Sequence, residues 1–240
     1  MGISDSVQTL ERELREIFGS RLQSLVVYGQ RAQETRHAHG RDAPPTHTLA
    51  IVDTLTPADL RACAGKVDAW HAAGLATPLL IAGHEFEDSL DAFPLEFGAI
   101  LADHAVVAGA NPFATLTVDP ADLRRACEMQ ARSHLLHLRQ GFLETRGNAG
   151  GLAELIVQSA AAFASLVVSI ARLEGHPPDG AASAARHVER LLGTPDSAVA
   201  EVTALAGAHD IASADAERLF APYLDSVERI VKHVDGWSGQ

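Results

Sequence analysis

The chain has little of what marks several common protein classes. Only two of its 19 basic residues are lysines, Lys66 and Lys232, and 31 acidic residues outweigh the basic ones to give a net charge of −12. A protein that coats DNA or RNA neutralises phosphates with clustered cations, so general nucleic-acid binding is not expected. Cysteines number two, Cys63 and Cys127, both among apolar neighbours in helical patterns. They fit no zinc spacing and read as buried thiols of a reducing compartment. No apolar run reaches the roughly 20 residues of a membrane-spanning helix. The longest, residues 160–171, is broken by Ser165 and Ser169 and reads as a buried helix. The stretch Met1–Phe18 is charged and amphipathic, unlike a basic region followed by an apolar core. No secretory signal or membrane partner is expected, and the cytoplasm is the expected location.

What is present is a hydrophobic fraction of 47% over 240 residues, enough for packed cores in one large domain or two modest ones. Val7, Leu10, Leu14 and Ile17 recur at helical spacing and Gly19 follows as a stop. Leu22–Tyr28 reads as a strand ending at Gly29. The polar stretch from Arg31 to His47 reads as a long loop, and Thr48–Val52 as a second strand. Pro57–Ala73 has a helical pattern closed by Gly74. Thr77–Ala82 and Pro94–Leu101 read as third and fourth strands, with a short edge around Val106. From Asp119 the texture is helical throughout: Pro120–Thr145, Leu152–Glu174, Ala181–Leu192, Ser197–Ala206, and Ser213–Val234 with a kink at Pro222. This divides the chain into an α/β domain, residues 1–118, and an all-α helical bundle, residues 119–240.

A helix, a strand ending in glycine, a polar loop and a second strand follow one another in LQSLVVYGQRA (Leu22–Ala32) and THTLAIVD (Thr46–Asp53). With the segment Asp91–Phe97 and the start of the long helix at Asp122, this order resembles bacterial nucleotidyltransferase-fold proteins. These have a minimal nucleotidyltransferase domain and a C-terminal helical bundle. The resemblance implies an α+β fold with a small mixed sheet. It also implies a Gly-Ser turn that meets the triphosphate, and two carboxylates two apart on the second strand that hold Mg²⁺. Where that pattern has Gly-Ser, this chain has Gly29-Gln30; where it has the two carboxylates, this chain has Thr46 and Thr48. Threonine is a neutral, poor Mg²⁺ ligand, and the third carboxylate would fall on Glu96 if its strand forms.

Other polar residues carry less. His37, His39 and His47 fall in a polar loop with nothing to fix a metal geometry. His134 and His137, three apart on one helix, read as structural. Arg124, Glu128 and Arg132, with Arg139 nearly in line, form a stripe that reads either as a solvated ion-pair row or as an anion-binding seam.

The sequence therefore points to a nucleotidyltransferase-like protein with a degenerate metal site and a non-catalytic binding or regulatory role. No resident metal or cofactor is expected, and a nucleotide or other small anion is the ligand class. One alternative is an active enzyme that rebuilds its metal site from Asp42, Asp53 and Glu96. Another is a helical interaction module on an α/β scaffold. The helix 152–172 is apolar around much of its circumference, which suggests a homodimer through the helical half.

Overall fold

The computed structural model describes residues 4–29, 45–176, 178–193 and 198–238. The chain divides into two compact units, residues 1–119 and 120–240. The first opens with α1 (Asp5–Phe18), whose N-terminus is capped by the Ser4 hydroxyl accepting from the Val7 amide at 3.4 Å. Val7, Leu10, Leu14 and Phe18 form its buried stripe. Leu10 and Leu14 are fully enclosed, where truncation to alanine costs about 2–5 kcal/mol. Four strands follow: β1 (Leu22–Tyr28), β2 (His47–Val52), β3 (Leu79–Ala82) and β4 (His104–Gly109). Their order is β3-β2-β1-β4, with β1 antiparallel to both neighbours and β2 parallel to β3. The parallel pair needs a crossover, supplied by α2 (Pro57–Ala64) and α3 (Val67–Ala72). Two more helices, α4 (Gly83–Ala92) and α5 (Pro94–Ala102), lead from β3 to β4.

Strand side chains alternate between faces, and both faces of this sheet are covered. Leu25 and Val27 of β1 and Ala50 and Val52 of β2 pack with α1, Cys63 and Trp70. On the other face Val26, Leu49 and Ile51 pack with Phe86, Leu90, Phe97, Ile100 and Phe113. The two central strands are therefore apolar at consecutive positions, not only at alternate ones. At the edge, Gly109 has φ +78°, and a Cβ there would lie 1.9 Å from the Gln23 carbonyl oxygen. Only glycine lets β4 approach β1 this closely.

Two segments differ from the sequence expectation. Pro57–Ala73 is not one helix: it breaks at Gly65-Lys66 into α2 and α3. Pro94–Leu101 is helix α5 and not a strand. Pro94 sits at the first helical position, where its missing N–H costs nothing. Pro94, Phe97 and Ile100 form a buried face at intervals of three. A short apolar run fits a buried strand or a buried helix equally well until packing decides. The fourth strand is instead His104–Gly109, at the sheet edge.

The second unit is helical among the described residues: α6 (Pro120–Glu144), α7 (Ala149–Leu173), α8 (Ala181–Leu192), α9 (Ala198–Ala204) and α10 (Ser213–Asp235). By length and composition α7 could cross a membrane. Its apolar residues instead form the bundle core. Leu152, Ile156, Phe163, Leu166, Val167 and Ile170 are buried, and α6, α8, α9 and α10 surround the helix. Asn148 caps it, accepting from the Gly151 amide at 2.9 Å. α10 runs through Pro222 without ending. Cys127 is fully enclosed, and burial pushes its thiol up to about 12, consistent with an inert thiol.

Two carboxylates, the half-buried Glu13 and the buried Asp59, tie elements of the first unit together. Glu13 of α1 accepts from the Trp70 indole at 2.7 Å and pairs with Lys66 at 3.0 Å, and the indole bond chiefly lowers its pKa. Asp59 accepts both guanidinium nitrogens of Arg21 at 2.8 Å, as well as the backbone N–H and hydroxyl of Thr56. This bidentate pair joins the turn before β1 to the capping box of α2. The Arg21 guanidinium is the main cause holding the Asp59 carboxyl far below its usual range. A carboxyl depressed in the fold contributes stability that is complete above its unfolded pKa, about 3.9. That contribution disappears as pH falls further. Asp59→Asn is therefore expected to lower Tm at pH 7, with the gap to wild type closing between pH 5 and pH 2. Thermal scans by circular dichroism check this, and a gap that does not change with pH contradicts it.

Candidate functional site

The residues that carry the resemblance lie at one end of the two central strands. Tyr28 of β1 pairs with His47 of β2, and Val27 with Thr48. Gly29 follows β1 with φ +72°, and a Cβ there would meet nothing within 4 Å. Its constraint is the left-handed backbone and not space. The Gly29 N–H, which a phosphate-binding turn would direct at a ligand, donates to the Asp103 carbonyl at 3.0 Å. Gln30 lies outside the described residues, as do His37, His39 and Asp42.

Thr46 and Thr48 project to the same side of β2, as their spacing of two requires. That side is the one Ala50 and Val52 share with α1. Thr46 is half-buried. Its backbone is bonded on both sides to the chain after α3, accepting from the Ala76 N–H at 2.9 Å and donating to the Gly74 carbonyl at 2.8 Å. Thr48 is 1% exposed, and its hydroxyl oxygen is buried with no hydrogen-bond partner. A buried hydroxyl without a partner costs about 1–3 kcal/mol. An ionised carboxylate in the same place would cost far more unless a cation and further donors compensated it.

Glu96 does not join them. It is exposed on α5, whose Phe97 and Ile100 pack on the opposite face of the sheet with Val26, Leu49 and Ile51. Its charge acts on Tyr28, whose phenol is raised first by burial and then by Glu96. Tyr28 in turn lies against His47, with ring centroids 5.6 Å apart. Tyr28, His47 and Glu96 thus form a second group at the same end of the sheet but on its other face. The sequence pattern sets His47 in a polar loop and Tyr28 inside a strand, and groups neither with Glu96. Asp53 lies five residues beyond Thr48, roughly 16 Å along the strand, with its N–H bonded to the Arg21 carbonyl at 2.8 Å. Among the described residues no three His, Cys, Asp or Glu side chains converge to hold a metal ion.

In the helical unit the arginine stripe is an ion-pair row. Arg124 meets Glu128 at 3.2 Å and the Asp235 carbonyl at 3.1 Å. Arg132 pairs with Glu128 at 3.0 Å and with Asp235 at 2.7 Å, and Arg139 with Glu228 at 2.8 Å. All three guanidiniums hold α6 to carboxylates or carbonyls of its own unit, and an anion would have to displace those partners.

No family model and no curated protein sequence matches this chain. Among solved structures, the chain is similar to a spectinomycin adenyltransferase from Enterococcus faecialis, solved with ATP and spectinomycin. The TM-score is 0.57 at 10% identity, covering 94% of this chain and 98% of that one. At that identity the likeness is one of fold. The four-stranded mixed sheet, the flanking helices and the helical second unit together have the nucleotidyltransferase-like α+β architecture.

Proposed function

We propose that this is a nucleotidyltransferase-like protein with a degenerate metal site, and that its role is non-catalytic binding or regulation. The observation that carries the reading is Thr48. At the strand position where the resemblance implies a metal-holding carboxylate stands a neutral hydroxyl, enclosed and without a partner. Nucleotidyl transfer needs metal ions to neutralise the triphosphate and align the attack. Thr46 and Thr48 offer no negative charge for that task. A nucleotide or another small anion is the proposed ligand class. Support comes from the fold likeness to a protein solved with ATP. The cytoplasm is the proposed location.

An active enzyme rebuilt from other acids would need Asp53 and Glu96 to share a metal. They lie at opposite ends of β2, Asp53 just past Val52 and Glu96 near Tyr28, which pairs with His47. Purified protein should show no Mg²⁺-dependent transfer of labelled nucleotide to small-molecule or protein acceptors. Thr48→Val should leave stability unchanged or raise it by up to about 1 kcal/mol, since it removes a hydroxyl that bonds to nothing. Turnover abolished by Glu96→Gln or Asp53→Asn, or marked destabilisation by Thr48→Val in urea melts, would contradict the reading.

We also propose a homodimer through the helical unit, but not through the helix first expected to form it. Most of the large apolar residues of α7 are buried in its own bundle, while Ala161 and Ala162 are exposed. The large exposed apolar residues are on α6, where Met129, Leu136 and Leu143 recur every seven residues at 71%, 63% and 75% exposure. Such a stripe suits a helix-to-helix contact. Leu136→Glu should shift sedimentation at micromolar concentration from a dimer to the 25.4 kDa monomer; wild type running only as monomer rules the dimer out.

A further inference from the structure

The second unit has a joint that shares no residue with the strand-end site or with the exposed stripe of α6. The chain leaves α7 through Gly175, which takes φ +69°, and the His176 N–H reaches back to the Ala171 carbonyl at 2.9 Å. Such a left-handed stop fixes the direction of the residue that follows it. His176 lies flat on His187 of α8, with ring centroids 4.2 Å apart and planes 5° from parallel. The other contacts of α8 are light. Its buried residues are Ala184, Ala185, Val188 and Glu189, with Leu191 and Leu192 half-buried. A helix that buries so little apolar surface belongs to the part of a fold that opens first. α8 in turn holds α9, because Glu189 accepts the Ala200 N–H at 2.9 Å.

The groups around the stack make it sensitive to a proton. The end of α7 brings Glu174, and α10 brings His233, whose Nε2 lies 2.7 Å from Glu174 Oε1. Arg172 of α7 acts instead on Cys127. α8 itself carries Arg186, Glu189 and Arg190 beside His187. The one ionisable side chain of α9, Glu201, is held by Arg218 of α10 at 2.7 Å. His187 Nε2 is buried and has no hydrogen-bond partner among the described residues. A neutral imidazole can leave that nitrogen bare, but an imidazolium carries N–H on both nitrogens. A buried donor without an acceptor is costly, and more so when charged. Burial first, then His176 and Arg190, hold the His187 pKa below its ordinary value, and Glu174 opposes them only in part. A histidine depressed in the fold contributes stability that is complete above its unfolded pKa, about 6.5. That contribution is lost as pH falls towards the folded value.

We propose that the His176–His187 stack is an acid-released clasp: with both rings neutral it holds α8 to the end of α7, and proton uptake by His187 opens it and frees α8 from the bundle. Amide hydrogen exchange of the full chain, followed by NMR at pH 7.5 and pH 5.5 and corrected for intrinsic rates, tests this. In wild type the α8 amides should lose protection at least about threefold on acidification, the linkage expected of one depressed histidine. His187→Phe keeps a ring on His176 but takes up no proton, so its α8 protection should be the same at the two pH values. His134, also held neutral by burial, lies on α6 and stays enclosed when α8 alone opens, so it adds nothing to the difference. If His187→Phe does not fold, the Cε1–H resonance of His187 in wild type still decides, and should titrate below about 6.5. Unchanged α8 protection in wild type, an equal loss in His187→Phe, or a His187 resonance that titrates at or above the free-imidazole value would overturn the proposal.

Discussion

Strand β2 constrains the rest of the first unit. It is hydrogen-bonded on both edges, to β1 and β3, and packed on both faces, so every residue from Thr48 to Val52 is buried. A strand held on four sides admits a charge only where a cation and several donors surround it. Here the α1 face of the strand is filled by Leu25, Val27, Ala50 and Val52. A threonine at position 48 costs the fold a single unmet hydrogen bond, whereas an unpaired carboxylate would endanger the sheet.

The polar contacts of the first unit are correspondingly placed away from β2. Glu13, half-buried, and Asp59, buried, are each held by specific donors from another element. They fix α1 on α3, and α2 on the turn before β1. Gly29, at the end of β1, turns its amide toward Asp103. The strand ends are in this way bonded within the unit.

Much of the architecture was legible in the sequence wherever a period ran long enough. The stripe of α1, the two central strands and the long helices of the second unit all follow from spacing and from Gly or Pro stops. Leu95–Leu101 was not legible, because seven mostly apolar residues suit a buried strand as well as a buried helix. That single ambiguity put Glu96 on a strand, whereas it lies on α5, where its charge acts on Tyr28. The face shared by Thr46 and Thr48 was legible, because alternation alone sets it. Their burial was not, since it depends on α1 and on the chain after α3. The contacts of Tyr223 with His134 and Ser159 span 89 and 64 residues, and no local pattern announces them.

In the second unit the fully buried Tyr223 phenol joins a neutral imidazole, His134, to Ser159. The most direct measurement of the central claim is a calorimetric titration of ATP into the full chain with and without Mg²⁺. Without carboxylates at positions 46 and 48, Mg²⁺ should leave the affinity for ATP unchanged or weaken it by masking the phosphates. A Mg²⁺-dependent gain of tenfold or more, worth about 1.4 kcal/mol, would show a functioning metal site and contradict the account.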